Sequence, residues 1–260
     1  MNAAGVLLLM LGVVLSPFPA AADVFCDNLR LVATTLSNNA SCSPVHFATA
    51  TFGQAPDIVY ALALCRGDVA GGSACGDCVA ATFTMILNAA PPDHGPCYKV
   101  ASNYGDPCSL VYSVDDVLTP SNATEAAMLF ERWNPADIAG DAQLVSGLIH
   151  ELLVQTAQAA AAAAGGGGTA RRFATGVMEY TGRAFPPVYS MAQCTPDLTA
   201  GDCLACLHRL LGMINATTSV RMGGQIHAIP CYFRYEDYGI YGGEPMVRLR
   251  APPAPGRRPR

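Results

Sequence analysis

One cysteine block occurs twice in this chain, and it limits the fold more than any other feature. The second copy runs from Cys194 through Cys203 to Cys206, a C-x8-C-x2-C block. The first runs from Cys65 through Cys75 to Cys78, with one more residue in its first gap. The match extends beyond the cysteines. Val59, Tyr60, Ala63, Cys65 and Asp68 read against Val188, Tyr189, Ala192, Cys194 and Asp197. Upstream, Phe47-Ala48-Thr49 reads against Phe173-Ala174-Thr175; downstream, Cys108 with Tyr112 reads against Cys231 with Tyr235. A unit that recurs with its spacing intact folds as a unit, so the chain holds one module used twice.

The paired block, followed in the second copy by Cys231-Tyr-Phe-Arg-Tyr-Glu236, resembles the plant salt-stress-response/antifungal domain, also called the ginkbilobin-homologous domain. That domain occurs in secreted cysteine-rich repeat proteins and on the outside of cysteine-rich receptor-like kinases. The resemblance implies an α+β fold of two tandem modules, each with two helices packed on a five-stranded antiparallel sheet and stapled by disulfides.

The 260 residues divide accordingly. Residues 1–22 read as a secretory signal peptide: Leu7 to Leu15 is an apolar core, Pro17 and Pro19 break it, and Ala20-Ala21-Ala22 offers a small-residue cleavage site before Asp23. Its start carries no Lys or Arg, and its apolar run is shorter than the ~20 residues of a spanning helix. Residues 23–114 form the first module, 115–140 a linker containing Pro120 and Pro135, and 141–242 the second module. Residues 243–260, ending Gly-Arg-Arg-Pro-Arg, read as a disordered basic tail. Eleven cysteines fit an oxidising compartment. A formal net charge of −5 with 13% charged residues lacks the basic footprint of a nucleic-acid binder. The expectation is a secreted, apoplastic protein with no membrane span after cleavage.

Within the first module, Leu29, Val32, Ala33 and Leu36 recur at helical spacing, and a strand follows over 46–51. From Ile58 to Leu64 both alternating sets are mostly apolar, the pattern of a central strand. A second helix starts near Ser73 and carries Cys78, Phe83 and Ile86. Strands at 98–100 and 108–112 close the module, with Asn103, Gly105 and Pro107 as turn residues between them. The second module repeats the order. Its first helix is read from Leu144, Leu148 and Leu152, fades into alanines and stops at Gly165–Gly168. Strands follow at 172–180 and 188–194, then a helix capped by Asp202 and bearing Leu204, Leu207, Leu211 and Ile214. Strands at 225–229 and 231–235 end the module. Runs of adjacent strands favour an antiparallel sheet with helices on one face.

Spacing alone does not fix cysteine connectivity. The resemblance implies Cys65–Cys75, Cys78–Cys108 and Cys26–Cys97 in the first module, and Cys194–Cys203 and Cys206–Cys231 in the second, where both partners of the third bridge are absent. Cys42 is left over, as a free thiol or an intermolecular bridge. Zinc would need the 75/78 and 203/206 pairs much closer together, and the histidines show no ligand spacing, so no metal and no cofactor are expected. Asn39, Asn122 and Asn215 open N-glycosylation sequons.

In a seed antifungal member of the family that this chain resembles, mannose is held by an Asn just after the first cysteine, an Arg in the penultimate strand and a Glu in a Cys-x4-Glu segment. Sugar hydroxyls need fixed acceptors and donors, which such a set supplies. In the first module these positions hold Asp27, Ser102 and Ser113. In the second, Glu236 matches, Gln225 stands at the Arg position, and Arg221 is a candidate substitute in space. Glu236 and Gln225 are therefore the candidate carbohydrate contacts. The five histidines (His46, His94, His150, His208, His227) are scattered, Asp68 and Asp197 sit at turns of separate modules, and no Gly-x-Ser-x-Gly elbow occurs, so no enzyme is expected. The resulting expectation is a non-enzymatic tandem binding module in extracellular stress or defence signalling. It would act on protein partners such as receptor ectodomains of the same family, its modules docked through their sheets. The alternative is a mannose-type carbohydrate-binding antifungal protein.

Overall fold

A computed structural model of the chain describes residues 23–70, 72–89, 97–119, 126–138, 141–163, 171–180, 186–214 and 218–251. The expected signal peptide lies outside them. Helix α1 (Val24–Cys42) begins where the Asp23 side chain accepts from the Cys26 amide, and it buries Phe25, Leu29, Val32 and Leu36. Strands β1 (Phe47–Phe52) and β2 (Val59–Cys65) follow, then α2 (Ser73–Ala89), β3 (Val100–Tyr104) and β4 (Cys108–Ser113). They build a four-stranded antiparallel sheet in the order β1-β2-β4-β3 under α1 and α2. Asn103, expected in a turn, lies within β3, where it pairs with Leu110; the turn itself is only 105–107.

The second module runs β5 (Phe130–Trp133), α3 (Ala142–Ala162), β6 (Phe173–Tyr180), β7 (Val188–Cys194), α4 (Ala200–Leu211), β8 (Gly224–His227), β9 (Cys231–Glu236) and β10 (Val247–Ala251). Its sheet has six strands, β10-β6-β7-β9-β8-β5, antiparallel except for β10 beside β6. Neither module therefore has the five antiparallel strands expected. The repeat supplies four to each, and the second gains β5 from the expected linker and β10 from the expected tail. In β10, Val247 and Leu249 alternate with Arg248 and Arg250, and the apolar pair packs against the module core. Its basic composition hides a period-two strand.

Two local readings shift as well. The buried stripe of α3 is Val145, Ile149, Leu152, Leu153 and Thr156, with Leu144 and Leu148 half-buried beside it. Thr199, not Asp202, caps α4: its hydroxyl accepts from the Asp202 amide and donates to the Asp202 carboxylate, a reciprocal capping arrangement.

Strand β2 shows why both of its faces are apolar. Val59, Ala61 and Ala63 turn to the helices, whereas Leu62 and Leu64 turn to the second module. The helix-free faces of the two sheets meet there. Leu64 packs with Phe173, Met191, Tyr232 and Ile240, and Leu62 with Val111, Val117, Met128 and Ile229. A side chain at Gly67 would overlap the Phe173 ring, at 2.3 Å, so only glycine allows this approach. At the centre lies Gln193, fully buried. Its amide nitrogen donates to the Cys65 carbonyl (3.0 Å), and its oxygen accepts from the Gly67 amide (3.2 Å) and the Tyr232 hydroxyl (3.0 Å).

Candidate functional site

A polar cleft opens at the rim of this interface. It measures about 410 Å³ and takes residues from both modules: the β3–β4 turn Tyr104-Gly105-Asp106 on one side, and β5, β8, β9 with the segment after each of β5 and β9 on the other. Its floor follows from strand register. Arg132 lies opposite Gln225, and Gln225 opposite Arg234, so three adjacent strands present their side chains on one face. Glu236 is two residues along β9 from Arg234 and shares that face. The other face of β5 is structural: the Trp133 ring covers Gly224, where any Cβ would meet it at 2.2 Å, and stands edge-on to Tyr235.

Three of the cleft's charges, Asp106, Arg234 and Glu236, are paired in a chain that crosses the module boundary. Asp68 accepts twice from Arg66 (2.8 and 2.6 Å), Arg66 also donates to Asp106, and Asp106 accepts from Arg234 at 3.1 Å. Arg234 reaches on to Glu236 (3.3 Å) and donates to the Tyr238 hydroxyl (2.9 Å). Burial alone would raise the Asp68 pKa. Hydrogen bonds from Arg66 and from the Gly242 amide outweigh it and hold the carboxyl below the usual carboxylate range. Asp68, Asp106 and Glu236 each have an arginine partner in this chain.

Behind the floor, His227 is buried and lies flat on Tyr232, with ring centroids 4.5 Å apart, and beside Tyr104 of the first module at 5.0 Å. Its Nε2 is 3.1 Å from the Gln225 amide oxygen, an acceptor, so that nitrogen carries the proton. Burial, and then the neighbouring Arg234 charge, pushes the imidazole down to a pKa of about 3. It is a neutral spacer that orients Gln225.

Gln225 and Glu236 are thus brought into one cleft. Arg221 is not: it binds Asp137 and the Pro135 carbonyl. Arg132, unremarked in the sequence, is the exposed arginine beside Gln225, and Tyr238 is the exposed aromatic. In the first module Asp27 pairs with Arg30 on the surface and Ser113 is buried, receiving the Asp115 amide. His46 is buried with Nδ1 against the Arg66 carbonyl, His150 and His208 are exposed on helices, and His94 lies outside the described residues. The bridges join Cys26 to Cys97, Cys65 to Cys75, Cys78 to Cys108, Cys194 to Cys203 and Cys206 to Cys231; Cys42 is a free, exposed thiol. Asn39 is exposed on α1, whereas Asn122 and Asn215 lie outside the described residues. Among the described residues, no helix is long and apolar enough to cross a membrane.

The salt stress response/antifungal family model matches residues 17–115 and again 143–238. The chain is 35% identical over 246 residues to cysteine-rich receptor-like protein kinase 6 of Oryza sativa subsp. japonica, covering 92% of this chain and 34% of the kinase. It is 33% identical over 220 residues to the putative cysteine-rich receptor-like protein kinase 9 of Arabidopsis thaliana, covering 84% of this chain and 77% of that protein. The chain spans about a third of the length of the first curated relatives it matches. In fold it is similar to the tandem DUF26 ectodomain of the Arabidopsis thaliana cysteine-rich receptor-like protein PDLP8. That likeness has a TM-score of 0.62 at 21% identity and covers 86% of this chain and 96% of that one. The PDLP5 ectodomain gives a TM-score of 0.58 at 17% identity, over 87% and 97% of the two chains. Repeat, fold and similarity agree that this chain belongs to the salt stress response/antifungal family and carries two of its domains in tandem, as an extracellular type of module.

Proposed function

We propose that the chain is a secreted, non-enzymatic binding module that acts in the apoplast, in stress or defence signalling, by contacting other proteins such as receptor ectodomains of its own family. One observation carries this reading: the modules are joined face to face into a single unit, and a polar cleft is built from both of them. A tandem pair fixed in this way offers one composite surface with Arg132 and Tyr238 exposed at its edge. Exposed arginine and tyrosine are the residue types that anchor protein interfaces. The paired state of Asp106, Arg234 and Glu236 supports a binding role over catalysis.

A second reading, recognition of mannose-type glycans, is favoured by the neighbourhood of Gln225, Glu236 and Arg132. Strand β5 sets an arginine opposite the position where the family's own arginine is replaced. Both readings are tested by three proteins: the native chain, its Arg132→Glu/Tyr238→Ala variant and its Glu236→Ala variant. The test is cross-linked capture from plant extracellular fluid alongside a glycan array that includes mannans. Specific proteins captured by the native chain and lost with the variant support the first reading. Mannan binding that Glu236→Ala also removes supports the second. Capture unchanged by the variant with a blank array refutes both.

A further inference from the structure

The two modules differ at their sheet edges, and the difference shows what the first one lacks. By the repeat, β1 corresponds to β6, β2 to β7, β3 to β8 and β4 to β9, since Phe47-Ala48-Thr49 aligns with Phe173-Ala174-Thr175. In the second module both outer edges of that four-stranded unit are covered, β8 by β5 and β6 by β10. In the first module, no strand among the described residues pairs with the outer edge of β1 or of β3.

The contrast is sharpest at β1. Counting from the aligned phenylalanines, Phe52 stands where Met178 stands. Met178 lies opposite Leu249 of β10 and is 0% exposed; Phe52 has no such neighbour and is 47% exposed. Ala50 stands where Gly176 lies opposite Val247. Above this edge runs α1, which packs on β1 and carries exposed Val24 and Leu31. Strand β1 itself, Phe-Ala-Thr-Ala-Thr-Phe, contains no charge, proline or glycine, so it has none of the devices that guard an open edge. The covering strands β5 and β10, themselves edges, carry Glu131 and Arg132, and Arg248 and Arg250.

We infer that the open edge of β1 is a docking site for an extended segment of a partner polypeptide, apolar at alternate positions and polar between them, which adds parallel to β1 as β10 adds to β6. The occupant's chemistry comes from the chain's own second module, where Val247 and Leu249 cover the corresponding positions. Strand addition satisfies the unpaired main-chain groups, and the alternate apolar side chains cover Phe52. This surface is separate from the cleft and does not depend on what the cleft binds.

The test uses the full oxidised chain and a synthetic peptide of residues 245–251, Pro-Met-Val-Arg-Leu-Arg-Ala, followed by hydrogen exchange and a binding isotherm. Saturable binding with slowed exchange of the amides of residues 48–52 is expected. Phe52→Lys, a change at an exposed position, should weaken it by more than about tenfold. A peptide with Asp in place of its Val and Leu should not bind. Val100→Lys on β3 and Arg132→Glu in the cleft should leave it unchanged. No saturable binding, protection at β3 or β6 in place of β1, or full affinity in the Phe52→Lys protein would each overturn the inference.

Discussion

Replacing Gln193 with Met tests whether the modules are held by one buried amide. The substitution nearly preserves volume, so its cost is polar rather than steric. It leaves the Cys65 carbonyl, the Gly67 amide and the Tyr232 hydroxyl without the partners they have at 3.0, 3.2 and 3.0 Å. A buried polar group deprived of its partner costs about 1–3 kcal/mol. The Gly67 bond is the longest, so the three together should cost about 3 kcal/mol. For a protein of this size that is a fall in Tm of roughly 6–12 °C. Because two of the three lost bonds, those to Cys65 and Gly67, cross the module boundary, the second effect is on cooperativity. Calorimetry under non-reducing conditions should show the native chain's transition broaden or split as the modules uncouple. Gln155→Met is the control: the Gln155 side chain is half-buried on α3 and bonds to Glu151 one turn earlier on the same helix, so it should shift Tm by no more than about 2 °C. A shift of similar size for Gln193→Met, with the transition unchanged, would refute the reasoning.

Acid should loosen the same interface through His227. Its native pKa of about 3 lies below the ordinary 6.5, so the unfolded chain takes up a proton first as pH falls. The stability it contributes is complete above about pH 6.5 and declines toward pH 3, by about 1 kcal/mol at pH 5.5. Urea midpoints at pH 7.5 and 5.5 should show this, and His227→Gln should flatten it. Asp106→Asn weakens the link between Arg66 and Arg234, but the carboxylate is 43% exposed and solvent screens it. The expected loss is about 1 kcal/mol, and it should shrink in 1 M salt. Replacing both Cys26 and Cys97 by Ala opens a long loop and should cost roughly 2–4 kcal/mol, read as earlier melting of the first module.

Much of the fold was legible because the repeat is local in sequence. The blocks around Cys65 and Cys194 place two strands and two helices by their spacing, and the doubly apolar β2 announces a central strand. What escaped is non-local. Strand β5 is four residues with two charges, and only its register against β8 makes it a strand. Strand β10 has a composition that reads as a basic tail until β6 is beside it. Thr199 takes the cap from Asp202 because the helix starts earlier than its apolar stripe suggests. The same limit holds at the site. Family resemblance points to Gln225 and Glu236, but Arg132 arrives through cross-strand pairing and Asp106 through the docking of another module. Gln193 carries no signal as an interface residue, since the backbone it binds lies in the other copy of the repeat.

The unequal edges also explain how the second module manages without its third bridge. In the first module Cys26, at the start of the first helix, is tied to Cys97, three residues before β3. The second module has no cysteine at either place. There the segment leading into α3 forms β5, and β5 pairs directly with β8, the counterpart of β3. The tie is the same in both modules, from the approach to the first helix to the penultimate strand, covalent in one and a hydrogen-bonded ladder in the other. A disulfide holds those ends without covering the sheet, whereas a strand holds them and closes an edge. Because the Cys26–Cys97 bridge stands in the first module where β5 stands in the second, no strand among the described residues covers β3, whereas β5 covers β8.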